Sequence, residues 1–439
     1  MKGGCFLPAL AIVFFAPVCL PAQAAWTLEQ CINYGLENNT QIKQQTLTAE
    51  QSANLWQQSK LDFLPSLSAR ASYNMSWGRS ADLQSLQIIE NYQQFAPSIN
   101  ASVNLFEGLQ KVNTTKRHRA DYQAAALEAE QMRNTVALEI TRAFLQVLLA
   151  KEVLVTAEKS RENVGRQHEL TRKLVAAGSQ PYSTLLEIEA QLASEEVQFI
   201  TARNNVDLAY LSLQQLINLH LGSDFEIVAP LIDVDMVQRQ EVIHSLYESA
   251  VRLPQIRTSE FRLESAKYAL SVAKGRYWPT ISLSASYGSY FTNPNREQVD
   301  FGQQLRNNRS PSLNFGLNIP LFQNWSIVTG AKNAKLNLRI AELELDRKHQ
   351  QLYKEIQQAV ADASAAYSRY KANEQTVAAM QESFRYTQEK FDVGLVHATD
   401  YTIAKNNLFK AESDRLQAKY QYIFQTKIID FYRGIPITL

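Results

Sequence analysis

From Ser66 to Trp77 the chain alternates without a break. Leu67, Ala69, Ala71, Tyr73, Met75 and Trp77 fall on one parity, and Ser66, Ser68, Arg70, Ser72, Asn74 and Ser76 on the other. Successive side chains of a strand point to opposite faces, so the pattern predicts a strand with one apolar and one polar wall. The pattern returns from Thr280, with Pro65 falling on Pro279, Leu67 on Ile281, Ala69 on Leu283, Ala71 on Ala285 and Tyr73 on Tyr287, at one offset, 279 − 65 = 214. The same offset carries Ser98–Leu105 (SINASVNL) onto Ser312–Ile319 (SLNFGLNI). Four segments result: residues 66–77, 97–106, 280–291 and 311–319. Their lengths suit a tilted bilayer crossing, which takes about 9–11 residues. A Ser/Asn wall is too polar for a protein core, whereas apolar outside and polar inside fits an outer-membrane barrel. Four strands cannot close, because about eight make the smallest useful barrel, and a lipid-facing sheet cannot leave its edges open. The pattern therefore predicts that further copies of the chain complete the sheet.

The remaining chain has a helical period. Residues 27–61 are helix formers opened by a Thr27…Gln30 capping box and stopped by Pro65. Val136, Ile140, Phe144 and Val147 step by three or four, the spacing of one helix face. With no proline from Ser98 to Gln180, a helix over about Gln110–Ala176 is expected, roughly 100 Å long at 1.5 Å per residue. That length suits a coiled-coil column and not a globular domain. Gly178 and Pro181 break it, and a second helix returns over Tyr182–Asn218. Residues 220–242 lose the period. The plan then repeats: a helix over about 243–276, two strands, a column over Trp325–Asp392, a break at Gly394, and a return over Asp400–Arg433. The expected organisation is a first repeat at 25–219 with its hairpin at 109–218, a linker at 220–242, a second repeat at 243–434 with its hairpin at 325–433, and a tail at 435–439. Residues 78–94 and 292–309 read as surface loops at the same end of the sheet. The fold class is mixed but helix-dominated, each repeat running helix, strand, strand, long helix, helix.

Composition refines this picture in three places. Lys and Arg number 44 against 43 Asp and Glu in 439 residues, a balance that gives no argument for nucleic acid. Residues 1–24 read as a secretory signal peptide, with Lys2, the apolar run Phe6–Leu20 and the small-x-small site Ala22-Gln23-Ala24. A lipidated Cys19 is the weaker reading, since Pro17 and Val18 stand where small residues are wanted. After cleavage Cys31 remains alone, which excludes an intrachain disulfide and suggests a small buried hydrophobe. No later run of about 18 apolar residues reads as a transmembrane helix.

In order, duplication and spacing, the chain resembles the TolC-like outer-membrane efflux family over nearly all of Trp26–Gly434. The residues that carry the resemblance are Trp26-Thr27-Leu28-Glu29-Gln30, the paired strand signatures, and the turns Ala177-Gly178-Ser179 and Val393-Gly394-Leu395. The resemblance implies a homotrimer in the outer membrane of a Gram-negative bacterium, with a 12-stranded β-barrel and a 12-helix tunnel reaching into the periplasm. Linker and tail would form its equatorial region. It implies a passive exit duct of a tripartite efflux or type I secretion system. The partners would be a periplasmic adaptor (a membrane fusion protein) and an inner-membrane pump of the resistance-nodulation-division, ABC or major-facilitator type. The two turns would be where the adaptor docks. They also read simply as glycine helix ends. Asp400 would face the pore at its narrowest end, with Glu187 as the acid of the first repeat, so that symmetry makes a carboxylate ring. As a plain feature, Asp400 is an acid favoured by a helix N-terminus. Where the family's closed tip is held by Tyr, Arg, Thr and Asp, this chain has Phe391, Val396, Ser183 and Thr184. That polar lock is absent, and packing between helices is expected in its place.

Catalytic chemistry has no motif here. His118, His168, His220, His244, His349 and His397 are scattered, with no HExxH, GxSxG, P-loop or GxGxxG, so neither enzyme nor cofactor is expected. Carboxylates such as Glu152, with Lys151 and Thr156 around it, read as solvated helix faces. Lys111, Lys116, Arg117 and Arg119 also read as a solvated face, with contact to inner-leaflet phosphates as the other reading. The competing functional class is an outer-membrane-anchored coiled-coil spacer without transport, which would have no use for a polar lumen wall.

Overall fold

The computed structural model describes residues 25–81, 88–220, 225–229, 243–294 and 300–438. The signal-peptide reading of 1–24, with Cys5 and Cys19, lies outside them, as do most of the 220–242 link and parts of the two expected loops.

The chain opens with α1 (Leu28–Asn38) and α2 (Thr40–Leu61). The capping box forms: the Thr27 N–H donates to Gln30 Oε1 at 2.9 Å, and the Gln30 N–H to Thr27 Oγ1 at 3.3 Å. The expected single helix over 27–61 is nevertheless two. Asn39 leaves the helical conformation at φ −59°, ψ 129°. Its Oδ1 accepts from the N–H groups of Gln41 and Ile42, and its Nδ2 donates 2.8 Å to the Leu216 carbonyl. An asparagine recapping the chain competes with the backbone for its own hydrogen bonds, and a distant acceptor fixes the break.

Strands β1 (Ser66–Ala81) and β2 (Ile88–Glu107) follow. Residues 78–94, expected as a loop, are thus largely strand, with 82–87 outside the described residues. The second half brings β3 (Thr280–Gly288), β4 (Phe291–Pro294), helix α7 (Phe301–Asn307) and β5 (Ser310–Asn318). The expected loop at 292–309 therefore holds a helix. Asp300 caps it through the Gln303 N–H at 3.1 Å, and Gln304 bonds both the N–H and the carbonyl of Thr292 at 3.0 Å. Phe301 meets Phe291 edge-on at 4.9 Å. The fourfold strand set becomes five, because β3 stops at Gly288 and the chain re-enters the sheet as β4 beside β2.

All five strands form one antiparallel sheet in the order β1-β2-β3-β5. Residues directly opposite one another share a face, and in the half of the sheet nearer the helices the register sorts them by polarity. Leu67, Ala101, Ala285 and Leu313 form one row, and Ser66, Ser102, Ser284 and Asn314 the next. Ala69, Ile99, Tyr287 and Pro311 are apolar again, while Ser68, Asn100, Ser286 and Ser312 are polar. A bulge at Leu105 shifts β2 by one residue, so that Phe106, not Leu105, joins Ile281 and Leu317.

The helices descend from the sheet: α3 (Gln110–Ala176), α4 (Tyr182–Ile217), α5 (Ile243–Ala250), α6 (Pro254–Gly275), α8 (Ser326–Asp392) and α9 (Ala398–Arg433). The single helix expected over 243–276 is thus two, parted where Leu253 turns extended ahead of Pro254. Helices α3 and α8 have 67 residues each, and α4 and α9 have 36 each. Where β2 turns into α3, Gly108 (φ +63°) backs directly onto Gly275, and a Cβ on Gly108 would sit 2.2 Å from the Gly275 carbonyl oxygen. The largest core lies below the sheet. Val136, Ile140, Phe144 and Val147 are all fully buried against Leu28 and Cys31 of α1, Leu213 and Ile217 of α4, and Ile423 of α9. Burial pushes the Cys31 thiol up to about 12. Trp26 closes this core by a parallel bridge to Ile227, its ring edge-on to Tyr34 and Phe225.

Candidate functional site

Two regions follow from this frame, the two-faced sheet and the far end of the helices. In β3, Ile281, Ala285 and Tyr287 are exposed while Ser282, Ser284 and Ser286 are half-buried. Leu67, Leu313, Phe315 and Leu317 are 64% exposed or more. A water-soluble sheet keeps its apolar side chains covered, whereas here they lie open. Strands β1 and β5 are the edges, with no strand paired beyond them among the described residues. No described helix is long and apolar enough to cross a membrane. An exposed apolar sheet face is thus the surface that lipid would cover.

At the far end, α3 passes to α4 and α8 to α9 through two five-residue turns of one design. Gly178 and Gly394 take left-handed φ values of 71° and 76°. The Gly178 N–H donates to the Val175 carbonyl and the Ser179 N–H to Leu174; the Gly394 N–H donates to Phe391 and the Leu395 N–H to Lys390. The i→i−5 bond across an αL glycine is the Schellman helix ending. A Cβ at either glycine would meet nothing within 4 Å, so conformation and not space demands glycine there. Ala177, Gly178 and Ser179 are exposed, and Val393 and Leu395 are 70% and 75% exposed.

Asp400 is the third residue of α9 and is exposed, whereas Glu187 is the sixth residue of α4, also exposed. The position that matches Asp400 in α4 is Thr184, since 400 − 398 = 184 − 182. Asp400 and Glu187 therefore stand about one helical turn apart in level, as their spacings of six and nine residues from Gly394 and Gly178 imply. Among the described residues neither side chain makes a hydrogen bond or ion pair. Of the residues replacing the family's polar lock, Ser183 is exposed and Thr184 half-buried, while Phe391 is buried and packs on Tyr401 at 5.0 Å. Phe391, Tyr401, Val164, Ile188 and Ala398, with Val396 and Phe384 around them, form a small core that joins all four helices within one chain. Burial raises the Tyr401 phenol to about 12.

Above this core lies a layer that the sequence reading missed. Glu195 of α4 and Lys405 of α9 are 1% and 6% exposed in their side chains and pair at 3.1 Å. Ser160 Oγ and Gln191 Nε2 each donate 2.6 Å to Glu195, and Lys405 Nζ donates 3.1 Å to the Ser160 carbonyl. Burial pushes the Lys405 ammonium down and Glu195 opposes it. The signal was present: Leu185, Ile188, Gln191 and Glu195, like Ala398, Tyr401 and Lys405, step by three or four. A charge inside each apolar stripe marks a buried pair. Glu152, 36% exposed in its side chain, pairs across helices as well, accepting 3.0 Å from Lys419 Nζ and 2.5 Å from Tyr420 of α9. Interhelix pairing displaced the intrahelical one.

No group of three or more His, Cys, Asp or Glu able to hold a metal occurs among the described residues. The chain matches the family described as outer membrane efflux protein over residues 32–219 and 246–426. It is 22% identical over 414 residues to the outer membrane protein TolC of Vibrio cholerae, covering 92% of this chain and 90% of that one. The alkaline protease secretion protein AprF of Pseudomonas aeruginosa is 20% identical over 79% of this chain and 70% of its own. Among solved structures, the CmeC outer membrane channel of Campylobacter jejuni superposes with a TM-score of 0.80 at 17% identity, covering 98% of this chain and 94% of that one. Sheet, helical column and match extent agree: the chain belongs to the outer membrane efflux protein family, a family of outer-membrane channels and not of enzymes.

Proposed function

We propose that three copies of the chain close one barrel and one helical tunnel, a passive exit duct from periplasm to exterior. The observation that carries this is the open sheet, whose apolar face is exposed and whose edge strands β1 and β5 lack neighbours among the described residues. Two copies would contribute about the eight strands that a barrel fills with its own side chains, whereas three leave a wet lumen. The polar rows Ser66–Ser102–Ser284–Asn314 and Ser68–Asn100–Ser286–Ser312 line that lumen and give the duct its purpose. A coiled-coil spacer would have no need of them. The twice-used element order and the paired lengths of 67 and 36 residues support an internal duplication. A pump in the inner membrane delivers the cargo, and an adaptor bridges to the exposed turns Ala177–Ser179 and Val393–Leu395. The cargo class is set by that pump. Native mass measurement in detergent should report a trimer, and planar bilayers should report an open conductance. A stable monomer or dimer would overturn the reading.

At the tip, Asp400 forms the carboxylate ring and Glu187 a second ring one turn further along. Such rings favour cations. Asp400→Ala should leave trimer yield unchanged, since a first-turn acid contributes at most about 1 kcal/mol to its helix. It should reduce cation preference and weaken block by multivalent cations added from the periplasmic side. Glu187→Ala should do so more weakly. Loss of stability with selectivity intact would make Asp400 a helix-end acid only.

A further inference from the structure

All four barrel-crossing strands meet the helical column at one end, where β1 begins, β2 ends, β3 begins and β5 ends. The charge at that junction departs from the balance of the chain. The last two turns of α2 and α6 and the first three of α3 and α8 carry eight Lys or Arg and no Asp or Glu, with the carboxylates Asp62, Glu107 and Asp121 just beyond those turns. Six of them occupy corresponding places in the two halves. Lys60 corresponds to Lys274 (274 − 60 = 214), Lys116 to Lys332 (332 − 116 = 216) and Arg119 to Lys335 (335 − 119 = 216). All six are exposed. Among the described residues none lies within ion-pair distance of a carboxylate. Further down α8 the pattern changes. Arg339 pairs with Glu342, Arg347 with Glu344, Lys371 with Glu374 and Arg385 with Glu382.

The helix dipole accounts for only part of this. Lys60 and Lys274 stand in last turns, where cations are favoured. Lys116, Arg119, Lys332 and Lys335 stand six and nine residues inside the N-terminal ends of α3 and α8, where they gain nothing from the dipole. Their depth is roughly 9–14 Å at 1.5 Å per residue. Headgroups occupy about 5–8 Å on each side of the hydrocarbon, and a lysine stem can extend back toward them. Between the cations and the apolar strand rows lie Trp278, Phe322 and Trp325, 60%, 73% and 61% exposed. Aromatic rings of this kind gather at the level of lipid headgroups.

We infer that these six cations form a collar that binds the phosphates of anionic phospholipids in the periplasmic leaflet. The inference rests on the apolar sheet face meeting lipid, and adds to it a headgroup chemistry. The collar holds the column against the membrane by charge, below a barrel held there by apolar contact. Charge complementarity and continuity with the apolar face argue for lipid as the occupant.

The test uses the full-length protein in detergent micelles doped with phosphatidylglycerol or phosphatidylcholine, with retained lipid counted by native mass spectrometry. The wild-type protein should retain phosphatidylglycerol selectively. Replacing all six cations by Gln should lower that retention by at least about tenfold, since each cation near an anionic surface is worth about fivefold. Replacing them by Arg should preserve it. Should the six-Gln protein fail to assemble, the trios Lys60/Lys116/Arg119→Gln and Lys274/Lys332/Lys335→Gln carry the same reading with smaller losses. Lys173→Gln with Lys390→Gln, near the far turns, should change nothing. Equal retention of the two lipids by the wild-type protein, or undiminished retention by the Gln variants, overturns the collar. Displacement of the lipid by millimolar inorganic phosphate alone would also overturn it, since the site would then be one for a soluble anion. Oligomeric mass is recorded in the same spectra, so failure of the trimer and failure of the collar are read separately.

Discussion

Leu283→Arg is expected to block assembly into the membrane, or to cost about 2–4 kcal/mol where the sheet crosses mid-bilayer. Leu283 sits in the central strand β3, opposite Val103 on one side and Phe315 on the other. All three side chains belong to the apolar face. A guanidinium there has no partner and must be dragged out of lipid. The neighbouring Ser284 lies between Ser102 and Asn314 on the polar face. Ser284→Arg should therefore assemble at wild-type yield and alter conductance alone. Oligomer bands from heated and unheated outer-membrane fractions, with single-channel recordings, separate the two outcomes. Equal damage from both substitutions would mean that the polar face is not the lumen.

The second large effect is expected in the helical column. Lys405→Ala leaves the Glu195 carboxylate, 1% exposed, with only the Ser160 hydroxyl and the Gln191 amide as donors. Removing one partner of a buried ion pair typically costs about 3–5 kcal/mol, because the other charge stays behind unpaired. Replacing both, as Lys405→Met with Glu195→Leu, removes the stranded charge and should recover most of the loss. Apolar residues in place of a buried pair are often neutral or stabilising. Urea unfolding followed by far-ultraviolet circular dichroism would measure both. A Lys405→Ala protein as stable as the wild type would show that water reaches this layer. The pair sits directly above the Phe391–Tyr401 core, so the layer fixes how α9 registers against α3 and α4.

Features with a local cause were legible in the chain, and those with a distant partner were not. The alternation at Leu67–Trp77 depends only on strand geometry, and the register sorts those residues as the alternation expects as far as Ala71, beyond which Ser72 faces Ala96, Met75 faces Gln93 and Trp77 faces Asn91. The stripe Val136, Ile140, Phe144 and Val147 depends only on the helical period, and it is the buried face of α3. Glycine endings at 178 and 394 are likewise written locally. The break at Asn39 needs the Leu216 carbonyl, 177 residues away in sequence. Helix α7 needs Gln304 to reach Thr292 across residues that otherwise read as loop. At the candidate site, the two glycine turns could be read in advance. The Lys405–Glu195 pair could be suspected from charges within two apolar stripes, but only packing joins those stripes.

The matched lengths of the long helices have a consequence for how such a chain can change. Helices α3 and α8 each run 67 residues before their turns, and the returns each run 36. Reach is thus specified twice, independently, in one gene product. An insertion of seven residues in one arm alone would lower its turn by about 10 Å, leaving a stepped rim that no flat partner could seal. Growth or shrinkage to suit a wider or narrower envelope must therefore come as concerted edits, one in each arm. A compensating length must also be added to each return, which keeps heptad phase and rim together.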